Sequence, residues 1–169
     1  MLDSKYWYSS TNPFYPEYGL PNCTAYAWGR FWEIGDRNGV SEPPHLPTGN
    51  GGQWFGNVMG YEVGDKPRLG SVACYAQPGQ DGHVCIVEEI LENGDIKTSN
   101  SGYSRSPGGF DDPQYFWVDT NPASTDYRAN WMVTGGYVFQ GFIYNPYACS
   151  PDKPAKKKKS WIIYMGRTL

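Results

Sequence analysis

Asn22-Cys23-Thr24-Ala25-Tyr26-Ala27-Trp28-Gly29-Arg30 is the stretch on which the reading of the fold turns. Ala25, Trp28, Phe31 and Trp32 recur at helical spacing, which predicts a helix over Cys23–Ile34 with Gly35 as its stop. Cys23 then stands in the first turn. Peptide dipoles there favour a thiolate, the reactive form of cysteine, and the same N–H groups can hold an oxyanion beside the sulfur. Position alone leaves a second reading open, a small buried hydrophobe at a helix start.

Downstream the pattern becomes β. Ser71–Ala76, His83–Ile90 and Ile96–Ser101 read as strands, with Asn93-Gly94 as a two-residue hairpin turn. Trp131–Thr134 and Tyr137–Tyr144 read as later strands joined through Gly135-Gly136. Residues 1–21 read as an irregular entry segment. Residues 36–57 are loop-rich, since Ser41-Glu42-Pro43-Pro44-His45-Leu46-Pro47 cannot be regular structure, and Gly49–Phe55 opens a short helical turn. Residues 104–130 read as loop. One main helix and several short strands make an α+β domain.

The chain has only two histidines. His45 lies in the proline-rich loop. His83 heads a strand, and Gly82 leaves room beside it. A neutral imidazole there can take a proton from a thiol, though a structural histidine is the other reading. If Cys23 is a nucleophile, His83 is its base. Asn100 is the candidate for orienting His83. With a two-residue turn at Asn93-Gly94, Asn100 falls opposite Val87, on the face that carries Cys85 and His83. The position opposite His83 is then Ser104, roughly 13 Å further along the strand. Contact needs a bulge, strong twist or a different turn, and a three-residue loop changes the facing.

Composition bounds the function. The 169 residues suit one domain and a short tail, and 17% of them are aromatic. The net charge of −3 hides an asymmetry: residues 1–150 carry 8 Lys and Arg against 16 Asp and Glu, while residues 151–169 carry 6 basic residues and one acid. An acidic body argues against nucleic acid as a partner. The Lys156–Lys159 run is a solvated linker or a contact to an anionic surface. Cys23, Cys74, Cys85 and Cys149 form no C-x-x-C pair, and Cys74 and Cys85 sit in apolar strand-like runs as small hydrophobes. No segment has membrane-spanning length and no signal peptide is visible. The expected division is 1–146 as the folded domain and 147–169 as a Lys-rich tail.

These stretches together resemble the CHAP family of cysteine- and histidine-dependent amidohydrolases and peptidases. Asn22–Arg30 is similar to its nucleophile motif. Gly49-Asn50-Gly51-Gly52-Gln53-Trp54 resembles its Gly-Asn-Ala-x-x-Trp segment, and Pro67–Tyr75 the strand before the histidine. Gly82-His83-Val84-Cys85-Ile86-Val87-Glu88 resembles the histidine motif, Asp95–Ser101 the strand of the third residue, and Tyr137–Tyr144 the closing strand. The likeness runs in order from about residue 20 to 146.

The resemblance implies a papain-like α+β fold, with a cysteine-bearing helix packed on an antiparallel sheet that bears the histidine. It implies cleavage of an amide bond in bacterial peptidoglycan, as in phage endolysins, with Cys23 as nucleophile and His83 as base. Asn100 stands where many relatives have Glu in Ser-Glu-x-Asn, and Gly102 replaces the Asn. An amide orients an imidazole but supplies no negative charge. Trp28, Trp54 and Tyr103 are candidates for the substrate groove or for packing. No cofactor is expected. No metal is expected either, since residues 1–22 hold only Asp3 and Glu17 where some relatives carry an acidic calcium loop. The expectation is a monomer without stable membrane insertion, acting at the cell wall after release by a holin, lysis or a phage particle. A non-catalytic wall-binding module, or a papain-like enzyme acting on other conjugates, are the competing readings.

Overall fold

The computed structural model describes residues 4–15, 20–103 and 116–148. The first helix, α1, is Ser4–Trp7, in the stretch expected to be irregular. The main helix, α2, runs Cys23–Arg37. It begins where expected because the Asn22 side chain accepts from the Thr24 and Ala25 amides, satisfying two donors that the helix itself cannot. It does not stop at Gly35. It continues for two residues to an Asn38 cap followed by Gly39 at φ +94°, the left-handed conformation that ends helices. Gly29 is the close-approach point: a Cβ there would meet the Trp7 ring at 2.5 Å, so the missing side chain lets α1 lie on α2.

Gly51–Gln53 is a 3₁₀ turn that leads into α3, Trp54–Asn57, as the Gly49–Phe55 reading anticipated. Six strands form one antiparallel sheet: β1 Val63–Gly64, β2 Val72–Ala76, β3 His83–Ile90, β4 Ile96–Ser101, β5 Phe116–Asn121 and β6 Val138–Ile143, in the order β1-β6-β2-β3-β4-β5. The fold is therefore α+β, with the cysteine-bearing helix packed on the sheet. Period-2 alternation divides the strands between two cores. Val72, Cys74, Val84, Ile86 and Ile143 face α2, while Ala73, Tyr75, Cys85, Val87, Ile96 and Phe142 pack with Ala129 and Met132 on the other side. Cys74 and Cys85 are fully buried free thiols, as read from their apolar surroundings.

Three further sequence expectations are corrected. Asn130–Thr134 is a short helix, α4, and not a strand; the run is too short for its β-rich composition to outweigh packing of Met132 into the core. β5 lies in a region read as loop, because its central residues alternate between half-exposed and exposed with little apolar signal. The β3–β4 register is also different. Leu91 pairs with Asp95 around a three-residue loop, and Glu88 is an extra residue in β3 between the Val87–Thr98 and Glu89–Lys97 pairs. Of the expected Lys-rich tail, 147–169, residues 149–169 lie outside the described residues.

Candidate active site

Cys23 occupies the first position of α2 and is half-buried. The backbone amides of Val84, Thr24 and Cys23 all work to lower its pKa. Burial outweighs them and pushes the thiol up to about 11. The helix start alone therefore does not produce a resting thiolate. Val84 follows His83 directly, so the thiol meets β3 one residue from the imidazole.

His83 is 5% exposed and lies opposite Tyr75 at the head of β3. The preceding turn is tight. Gly82 has φ +72°, and a Cβ there would strike Gly52 at 2.5 Å; a Cβ on Gly51 would meet the His83 backbone at 3.1 Å. The Gly52 amide donates to Asp81 O at 2.8 Å, and the Asn50 amide donates to the Asp81 carboxylate. The Gly-Asn-Gly-Gly segment thus clasps the residues that precede His83.

The two register changes bring Asn100 to His83. The three-residue loop moves the facing by one residue, and the Glu88 bulge moves it by one more. Asn100 stays on the His83 face but advances two places, from opposite Val87 to opposite Cys85 if the Ile86–Ser99 pairing is continued. It becomes a diagonal neighbour of His83. The His83 Nε2 to Asn100 Oδ1 distance is 3.0 Å.

A buried relay sets the direction of this bond. Asn121 Nδ2 donates to the Tyr127 carbonyl, so Asn121 Oδ1 is an acceptor and takes the Thr98 hydroxyl proton. The Thr98 oxygen then accepts from Asn100 Nδ2, which also donates to the Thr98 carbonyl. Asn100 Oδ1 is left to accept from His83 Nε2–H. Nδ1 is consequently the unprotonated nitrogen, free to act as a base. Burial holds the imidazole neutral, with its pKa lowered to about 4; the Asn100 bond and the Asp119 charge oppose this without overcoming it.

The other expected site residues divide. Trp28 and Trp54 are 2% and 0% exposed, and both sit in the core. Trp28 packs edge-on against Trp32, and Trp54 packs against Phe14 and donates to Gly49 O. The reading of these two as groove-lining is corrected: their large apolar surfaces fill the layer between α2 and its surroundings. Tyr103 is 58% exposed. The sequence reading missed four residues around His83. Trp117 stacks on it with ring centroids 6.3 Å apart, Trp131 meets it edge-on at 5.3 Å, Tyr137 at 6.5 Å, and Asp119 holds both indoles. The signal available for a strand there was the run of strand-forming residues Phe116-Trp117-Val118 followed by Thr120.

An α+β fold with a helix-borne thiol and a sheet-borne imidazole defines the class, and comparison with known proteins gives the family. The CHAP domain family model matches residues 11–102, more than half of the chain, and the chain belongs to that family. A Streptococcus mutans protein is 34% identical over 79 residues, covering 46% of this chain and 36% of its own length. The N-acetylmuramoyl-L-alanine amidase sle1 of Staphylococcus haemolyticus is 28% identical over 104 residues, with 59% and 31% covered. The secretory antigen ssaA2 of Staphylococcus aureus is 30% identical over 93 residues, with 54% and 31% covered. The chain spans about a third of the length of these curated relatives. A crystal structure of an N-acetylmuramoyl-L-alanine amidase from Staphylococcus aureus aligns with TM-score 0.46 at 18% identity, over 71% of this chain and 30% of that one.

Proposed function

We propose that this chain hydrolyses an amide bond of bacterial peptidoglycan, with Cys23 as nucleophile, His83 as general base and acid, and Asn100 as the residue that orients His83. The observation that carries the reading is the His83–Asn100 bond, whose relay leaves Nδ1 as the acceptor in a chain of the CHAP family. A relative named as an N-acetylmuramoyl-L-alanine amidase, sle1 of Staphylococcus haemolyticus, supports the substrate class.

The resting pair is a neutral thiol and a neutral imidazole, so proton transfer accompanies attack. His83 Nδ1 takes the thiol proton as Cys23 Sγ bonds to the scissile carbonyl carbon. Amides at the α2 start favour negative charge on the sulfur and on the oxyanion beside it. The imidazolium then protonates the leaving amine as the C–N bond breaks. Water attacks the resulting thioester, His83 takes its proton, and Cys23 leaves and is reprotonated.

Either the bond between muramic acid and L-Ala or one within the peptide satisfies this chemistry. Residues 1–146 form the catalytic unit in this reading, and Tyr103 lies at its rim. The work is wall lysis or remodelling, by a phage-encoded or self-encoded enzyme. The test is digestion of purified cell walls followed by mass spectrometry of the soluble fragments. New free amino groups on defined muropeptides are expected. Walls that bind the protein but yield no new amino groups would instead support a binding module.

A further inference from the structure

Asp119 lies on β5, outside every motif that resembles the family. Its Oδ2 accepts from Trp117 Nε1 at 2.7 Å and from Trp131 Nε1 at 2.8 Å. The two indoles lie 5.9 Å apart at 72° and cover His83 by stacking on one side and by an edge contact on another. One carboxylate therefore fixes two walls of the box around the imidazole. The same carboxylate is a negative charge felt at His83, where it opposes the effect of burial. Asn100, the direct partner, is neutral.

Among the described residues, His83 has around it Asn100 from β4, Asp119 and Trp117 from β5, Trp131 from α4, Tyr137 ahead of β6, and Tyr75 opposite it on β2; the Cys23 charge is felt at Tyr137. Asp81 lies two residues ahead of it in the chain, and its charge is felt at Cys23. We propose that Asp119 is a positioning residue of this site. Through its grip on Trp117 and Trp131 it holds the imidazole in place, and it lends the developing imidazolium the negative charge that Asn100 lacks. The second role rests on the reading of His83 as the base. Aromatic faces also favour a cation, so a fixed box and a fixed charge act in the same direction.

The test is Asp119→Asn, which keeps an acceptor oxygen for the indoles and removes the charge. The two histidines give two Hε1 signals by NMR, assigned with a His45→Ala variant. At pH 4 the wild-type His83 signal is expected near the middle of its titration. In Asp119→Asn it is expected nearer the neutral position, a midpoint lower by about half a pH unit, with His45 unmoved. Cell-wall clearing is expected to slow roughly 10-fold. An unchanged or raised His83 midpoint overturns the proposal. Should Asp119→Asn not fold, the Trp117→Phe, Trp131→Phe double variant replaces it: an aromatic ring stays at each position, both indole N–H donors to Asp119 are lost, and an unchanged His83 midpoint together with an unchanged clearing rate again overturns the proposal. The titration needs no substrate. Failure of the wild type to clear walls would therefore count against the enzymatic reading and leave the Asp119 result standing.

Discussion

Arg30 grips Glu88 across 58 positions of sequence, with Nε at 2.9 Å from one carboxylate oxygen and Nη2 at 2.8 Å from the other. Glu88 is the bulge residue of β3, so this pair ties the irregularity in the sheet to the helix that carries Cys23. Ser99, next to Asn100, donates to the same carboxylate at 2.7 Å. Arg30 and Glu33, a further partner of it, are almost fully buried. A bidentate pair here fixes geometry more than it adds net stability. It holds the register that sets Asn100 beside His83.

Replacing Glu88 with Ala removes the bidentate carboxylate partner of the buried Arg30. The expected cost is roughly 3 kcal/mol of unfolding free energy, measured by urea denaturation. The His83–Asn100 bond should weaken with the register. In the folded variant, catalytic rate is expected to fall more than affinity for wall fragments. A Glu88→Ala protein with wild-type stability and rate would separate the bulge from the site.

The relay that orients His83 makes a graded prediction. Asn100→Ala removes the acceptor for Nε2–H and is expected to lower wall-hydrolysis rate roughly 100-fold with little change in binding. Thr98→Val leaves Asn100 in place and deletes one of the two contacts that fix its amide. A smaller loss is expected, roughly 10-fold. If Thr98→Val were as damaging as Asn100→Ala, orientation of the amide would not be what Thr98 contributes.

The pH dependence of stability follows from His83. Its pKa is about 4 in the folded chain, below its ordinary value of 6.5, because burial disfavours the charged ring. The unfolded chain therefore binds the proton more readily, and folding stability falls as pH drops below 6.5. The loss is complete below about pH 4 and is on the order of 3 kcal/mol. His83→Gln lacks this group. Denaturation midpoints between pH 7 and pH 4 should fall more steeply for the wild type than for His83→Gln. Equal slopes would mean that His83 is not buried in the neutral form.

Much of the site was legible because its carriers are local. The Cys23 helix shows in the spacing of Ala25, Trp28, Phe31 and Trp32, and strands His83–Ile90 and Ile96–Ser101 have the limits that their composition suggests. The juxtaposition of Asn100 with His83 was not legible, because it depends on a loop length and on a bulge tied down by Arg30 far away in the chain. Trp28 and Trp54 drew attention as aromatics, yet spacing does not tell a core ring from a groove ring. Asp119 drew none, since its importance lies in two indole N–H groups that come from β5 and α4. The direction of the Cys23 pKa was not legible for a related reason: the helix-start amides that favour the thiolate are local, whereas the burial that outweighs them is tertiary.

The central claim is that Cys23 carries out the chemistry. The most direct measurement is release of free amino groups from purified cell walls by the wild type and by Cys23→Ala at matched folded concentration. The wild type should release them, and Cys23→Ala should fall to the background of untreated walls while still binding. Equal release by the two proteins would contradict the account.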